Sequence, residues 1–255
     1  MTIEQDILDN LKSLEQERSI NILLAIESGS RAWGFPSQDS DYDVRIIYSH
    51  PVQHYLSVFD RKDTLEVPIT NELDIAGWEI AKALKLMYAG NAVVHEWLNS
   101  PIIYQENSMA SNILRNFSQT AFNPVKAFHH YLAMSAKKFD LDGNESFSAK
   151  RLLYAYRTLL CALWVKNYQT PPPMKFQDLM TDILHDRQDV FDALTIIITA
   201  KKEQTEKQPI DCPKLLIEYS RSQIKELKAT QLQSYKAPKK EEFDTVFRTL
   251  INNGN

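Results

Sequence analysis

Ser28-Gly29-Ser30-Arg31-Ala32-Trp33-Gly34-Phe35, followed after a short polar stretch by Ser40-Asp41-Tyr42-Asp43-Val44-Arg45, decides how this chain is read. The apolar run 22–26 leads into it, and Val44, Ile46 and Ile47 lead out of it, so a strand is expected on either side of a Gly-Ser turn. Side chains alternate along a strand, and Asp41 and Asp43 therefore point the same way if the segment is extended. Two carboxylates side by side repel, and a divalent cation relieves that repulsion; Mg²⁺ takes hard carboxylate oxygens together with substrate phosphates. The Gly-Ser pair offers such phosphates a seat, because glycine admits close backbone approach and the amides opening the next helical turn can bind an anion. Ser30 adds a hydroxyl and Arg31 a fixed positive charge. Taken singly, an Asp-x-Asp pair is commonly two solvated turn residues and a Gly-Ser dipeptide commonly a plain turn. What is specific is the order: strand, Gly-Ser, polar loop, then Asp-aromatic-Asp leading into an apolar run.

The rest of the chain allows a real core and excludes some functions. The 255 residues suffice for one large or two modest domains, and 44% of them are apolar. A net charge of −4 excludes a global basic field for nucleic acid and leaves only a local patch. Cys161 and Cys212 read as free thiols of a cytosolic protein rather than a disulfide. The opening MTIEQDILDNL has no signal-peptide core, and no apolar run approaches the ~20 residues of a membrane span, so a cytoplasmic location is expected.

Along the chain, helical spacing predicts an amphipathic helix over 3–17, and 21–27 reads as a buried strand. A second strand is expected over 43–48, a short helix over 52–59, and two short strands over 64–67 and 71–76. The last of these holds Glu72-Leu73-Asp74-Ile75, in which Asp74 stands between two apolar residues, an uncomfortable place for a charge unless it faces solvent or serves a site. Residues 78–88 predict a helix with Trp78, Ala81, Leu84 and Met87 inward and Glu79, Lys82 and Lys85 outward; 93–98 predicts another, and 101–104 a short strand. His95 and Glu96 have no partner at ligand spacing and read as helix surface or local structure. A domain boundary is expected near 107–123, with helices from there on: 125–139, 148–167, 176–184, 190–202, 212–232 and 238–252. The segment 140–145 is a loop that only superficially suggests a calcium site.

In the helical half, Lys150, Tyr154 and Arg157 recur at intervals of four and three and share one helix face. That face is either a solvated basic stripe or a hand for a triphosphate. Ser148 and the pair His129-His130 are weaker candidates nearby. Lys201 and Lys202 read as solvated charges at a helix end.

In its full order the motif resembles the signature of the DNA polymerase β superfamily of nucleotidyltransferases. More narrowly, GSRAWGF…SDYDVR resembles the RlaP (YcgL-like) family, which is associated with RNA repair. The strings DIAGWEIAKALKLMYAGNAVVHEWLNSPIIY and KRLLYAYRTLLCALW resemble the same family. The resemblance implies an α+β fold: a polymerase-β-like mixed sheet with helices over 1–120, then a helical bundle over 121–255 that binds substrate and walls the other side of a cleft. It implies transfer of NMP from an NTP to an acceptor, an RNA end of a tRNA or other small RNA, with Mg²⁺ or Mn²⁺ and release of pyrophosphate. It assigns Asp41 and Asp43 to bridging the metals and Asp74, with Glu72 as runner-up, to the third carboxylate. Ser28, Gly29, Ser30 and Arg31 fall to the phosphates, and Lys150, Tyr154 and Arg157 to the nucleotide tail. Arg45 is expected on the opposite strand face, paired with a core acid. Two other readings stand beside this one: transfer to a protein or tRNA acceptor as in toxin–antitoxin nucleotidyltransferases, and a sensor that binds NTP without transfer.

Overall fold

Residues 22–26 are apolar on both strand faces between Asn21 and Glu27, the pattern of a strand covered on both sides. A computed structural model of the chain, described for residues 2–69, 72–139, 147–203, 209–210 and 212–253, places them next to one edge strand of a five-stranded mixed sheet. The first elements are α1 (Ile3–Arg18), β1 (Asn21–Glu27), α2 (Gly29–Trp33), β2 (Tyr42–Ser49), α3 (Val52–Tyr55), β3 (Thr64–Glu66), β4 (Leu73–Glu79), α4 (Ile80–Ala89), α5 (Ala92–Leu98), β5 (Ile103–Glu106) and α6 (Ser108–Ala121). The sheet order is β3-β4-β2-β1-β5; β2 and β4 run parallel, and the other pairings are antiparallel. Helix α1 is capped by Thr2, whose hydroxyl accepts from Gln5 N, and buries Ile7, Leu11 and Leu14 at helical spacing. Those residues pack with Val44, Ile46 and Tyr48 of β2 on one face. Ile47, one step out of phase, joins the cluster of α4, α5 and α6 on the other. Asp43 and Arg45 therefore share the face of Ile47.

Two expectations are corrected here. The helix predicted over 78–88 starts at Ile80, because Trp78 and Glu79 remain in β4. Glu79, expected on an exposed face, is buried: its carboxylate accepts from Tyr55 Oη at 2.7 Å and from Ala81 N at 2.8 Å, capping α4. Burial pushes its pKa up. The range 107–123, where a boundary is expected, holds α6, which Asn107 caps and which packs Ala110, Leu114 and Ala121 into the core, and the division of the chain into two compact units falls at its end, after Phe122.

The remaining elements are α7 (Pro124–Phe139), β6 (Phe147–Ser148), α8 (Ala149–Tyr168), α9 (Phe176–Ile183), α10 (Gln188–Glu203), β7 (Pro209–Ile210), α11 (Lys214–Lys228) and α12 (Lys240–Asn253). Helix α8 buries Leu152, Tyr156, Leu159, Cys161 and Leu163 on successive sides, the mark of a central helix, and α7, α9, α10 and α11 pack on it. By contact the chain falls into two compact units. The sheet unit takes residues up to Gly29, Asp41–Phe122 and everything from Lys236 on; the helical unit takes Ser30–Ser40 and Asn123–Tyr235. The tail helix α12 thus belongs with the sheet, burying Phe243, Leu250 and Ile251 among residues of α4 and α6. Cys161 and Cys212 are not joined in a disulfide. Among the described residues no helix is long and apolar enough to cross a membrane. The loop expected over 140–145 lies outside the described residues.

Candidate active site

Parallel pairing of β2 with β4 sets Asp43 opposite Asp74 and Arg45 opposite Ala76. Residues opposite one another on adjacent strands present their side chains on the same face, so the two carboxylates are neighbours by register. Arg45 serves both: its Nη2 lies 3.0 Å from Asp43 Oδ1 and 2.7 Å from Asp74 Oδ2, and its Nη1 donates to the Asp74 carbonyl at 2.9 Å. The expectation that Arg45 lies on the opposite face is therefore wrong. It stands two residues after Asp43, and a period of two returns it to the same side. Asp74 Oδ1 has no hydrogen-bond partner among the described residues, and the side chains of both aspartates keep 29% of their surface exposed.

The backbone around the pair is held tightly. Gly29 sits at φ +63°, and a Cβ there would run into Asp43 Oδ2, so only glycine lets the turn pass beside this carboxylate. Ser28 N donates to the Asp43 carbonyl at 2.8 Å. Glu27, which no motif singles out, lies buried under the site: its Oε1 accepts from Asp43 N at 2.9 Å, and its Oε2 accepts from Tyr104 Oη. A charged residue closing an otherwise apolar strand was the signal available for it. Asp41 is exposed ahead of Tyr42, the first residue of β2, and Glu72 is exposed in the turn before β4, where its carbonyl accepts from Tyr42 N.

The segment from Ser30 to Ser40 belongs to the helical unit. Ser30 Oγ donates to Ser40 Oγ at 3.1 Å, Ser37 N donates to the same oxygen at 2.9 Å, and Arg31 Nη2 donates to the Ser40 carbonyl at 2.7 Å. Arg31 thus orients the loop. Trp33 meets Tyr154 edge to face at 4.6 Å, and the Arg157 guanidinium lies over the Trp33 ring at 4.4 Å. Arg157 is 3% exposed, so the structure uses it inside the unit. Tyr154 and Lys150 are half-buried on the same helix. Lys138, at the end of α7, lies 5.2 Å from the Tyr154 ring centre, and burial together with the nearby Arg157 charge lowers its pKa; sequence reasoning missed it. The expectation for Lys201 is corrected. Its ammonium is buried and donates to the Phe35 carbonyl at 2.9 Å, bracing the loop, while Lys202 is exposed.

A divalent cation suits part of this arrangement. Mg²⁺ is commonly held by one or two carboxylates plus substrate phosphates, and Asp43 with Asp74 supplies hard oxygens on a rigid pair of strands. Among the described residues no three of His, Cys, Asp and Glu are gathered so as to hold a metal ion by themselves. The structure joins Asp43 with Asp74 and does not add Asp41 to them as a third ligand.

Comparison with known proteins gives three findings. The family model described as RlaP, the RNA repair pathway DNA polymerase beta family, matches residues 3–249. The chain is 42% identical over 184 residues to the Bacillus subtilis (strain 168) protein named "Uncharacterized protein YcgL", covering 71% of this chain and 70% of that one. A nucleotidyltransferase-like protein from Exiguobacterium sibiricum 255-15 aligns over 89% of this chain and 74% of its own, at 11% identity and a TM-score of 0.36.

Proposed function

This chain belongs to the RlaP family of DNA polymerase β-type nucleotidyltransferases, and from that premise we propose that it transfers NMP from an NTP to an RNA end, releasing pyrophosphate, with Mg²⁺ or Mn²⁺ as cofactor. The observation that carries the reading is the in-register pair Asp43–Asp74, set beside a glycine turn whose close approach no other residue permits. Asp43 and Asp74 would hold the cation, with Asp41 joining from the turn ahead of β2. Bound there, the cation would offset charge on the phosphate oxygens and favour ionisation of the acceptor hydroxyl. Asp74 Oδ1 is the oxygen available to take the acceptor's proton. Arg45 fixes the rotamers of both aspartates and balances their charge until the cation and its triphosphate are bound. Ser28 and Gly29 present backbone to the phosphates. Ser30 and Arg31 hold the following loop in shape, and Lys150 and Tyr154, with Lys138 beside them, are the nucleotide-binding candidates of the helical unit, while Arg157 packs on Trp33 behind them.

The test is incubation with each α-labelled NTP, Mg²⁺ or Mn²⁺ and a mixed small-RNA pool, beside Asp43→Asn and Asp74→Asn. Loss of one metal-holding carboxylate should cost at least about a hundredfold in rate, the scale of removing one preorganised group that stabilises transition-state charge. Label carried to RNA by the wild type alone supports the reading. Label on protein instead moves the acceptor to a protein hydroxyl. Saturable NTP binding without transfer, in cell extract as well, leaves a sensor and overturns the transfer.

A further inference from the structure

At the far end of β2 from Asp43, about 20 Å along the strand, the end of α1 and the start of α3 enclose an open cavity of about 440 Å³. Its basic lining is Arg18, His50, His54 and Arg61, with Ser19 and Gln53 beside them, and among the described residues no carboxylate lines it. Among the described residues neither arginine makes an ion pair. Three acids, Asp60, Asp63 and Glu79, line the adjoining cavity, which His54 and Arg61 share; of these Asp63 pairs with Lys82 at 3.4 Å and Glu79 accepts from Tyr55. Arg61 Nη1 lies 3.3 Å from His54 Nδ1, so the guanidinium is steadied by an imidazole rather than by an anion. The rings of His50 and His54 stack at 3.5 Å, 4° from parallel. Such a stack of two basic rings is comfortable only while both are neutral. Burial, their mutual repulsion and Arg61 hold them so, with His50 lowered to about 4 and His54 lowered also. Arg18, the last residue of α1, is well placed to offset the negative end of that helix's dipole.

We propose that Arg18, His50, His54 and Arg61 form a phosphate-binding site of the sheet unit, separate from the carboxylate pair. Guanidinium groups match phosphate oxygens in fork geometry, and imidazole N–H groups add donors of the same kind. The site does not rest on the transfer reading, since it needs no catalysis and no divalent cation. The phosphate can come from a free ion such as pyrophosphate or from the backbone of a nucleic-acid strand, and competition separates these sources.

Isothermal titration of the full chain with inorganic phosphate and with pyrophosphate, without divalent cation, should give saturable binding. Arg61→Ala should weaken it about tenfold and Arg18→Ala/Arg61→Ala further, the scale of lost charge-assisted bonds. Both arginines are exposed, and a thermal melt confirms that the variants fold. The His50 and His54 ring signals in NMR spectra should shift on phosphate addition. A short single-stranded oligonucleotide that displaces the phosphate assigns the site to a strand; failure to displace it assigns the site to the free ion. Equal binding by the wild type and the double variant, or no saturable binding, overturns the proposal.

Discussion

Arg45 holds two carboxylates of adjacent strands together, so removing it takes away the cation that bridges like charges in register. Arg45→Ala should lose about 1–3 kcal/mol, as when one partner of a part-buried charge cluster is deleted. Mg²⁺ should then raise its melting temperature more than that of the wild type. Equal Mg²⁺ shifts would mean the cation does not reach this pair. His95 offers a second test. Expected at a helix surface, it is 1% exposed, meets Phe122 edge to face at 5.0 Å, and finds no hydrogen-bond partner for either ring nitrogen among the described residues. Burial lowers its pKa to about 4 from 6.5. The unfolded chain therefore binds the proton first as pH falls. The neutral ring's contribution is complete above about 6.5 and is lost toward pH 4, up to about 3 kcal/mol in all. His95→Phe should match or exceed wild-type stability at pH 7 and melt with a shallower acid slope; His50, half-buried and lowered likewise, keeps part of that slope in both proteins. An unchanged slope would show that His95 is not the group protonated.

At the scale of elements, the loop after α2 is held by four bonds that converge on Ser40 and by one buried ammonium. Lys201→Ala should cost about 2–3 kcal/mol, since it unpairs the buried Phe35 carbonyl and opens a cavity. Lys202→Ala, one residue on and exposed, should stay within about 0.5 kcal/mol. Similar losses for the two would overturn the bracing role. The pair shows where sequence reading stopped. Adjacent lysines at a helix end look alike, and only the packing of Phe35 against Phe176 and Tyr154 decides which one is enclosed. The strand limits of β1 were legible to the residue, because the unbroken apolar run 22–26, flanked by Asn21 and Glu27, has one reading. The start of α4 was not, because Trp78 and Glu79 suit a helical pattern and become strand only through pairing with Thr64 and Tyr48.

At the scale of the molecule, α12 joins the sheet unit from the far end of the chain. Truncation before Lys236 should expose the apolar surface of α4 and α6 that Phe243, Leu250 and Ile251 cover. It should lower the melting temperature or drive aggregation, whereas a tail that merely hangs free would leave both unchanged. The amino-acid sequence by itself determined the family, the mixed α and β character, and the order strand, glycine turn, Asp-x-Asp, later Asp. Those properties rest on local period and residue chemistry. Tertiary structure alone decided which carboxylates meet, that Arg45 pairs with these two rather than with a core acid, that Glu27 lies beneath them, and that Arg157 and Lys201 face inward. Each of these depends on strand register or on packing between segments distant in the chain, and a one-residue change of register would send the same side chains to the other face.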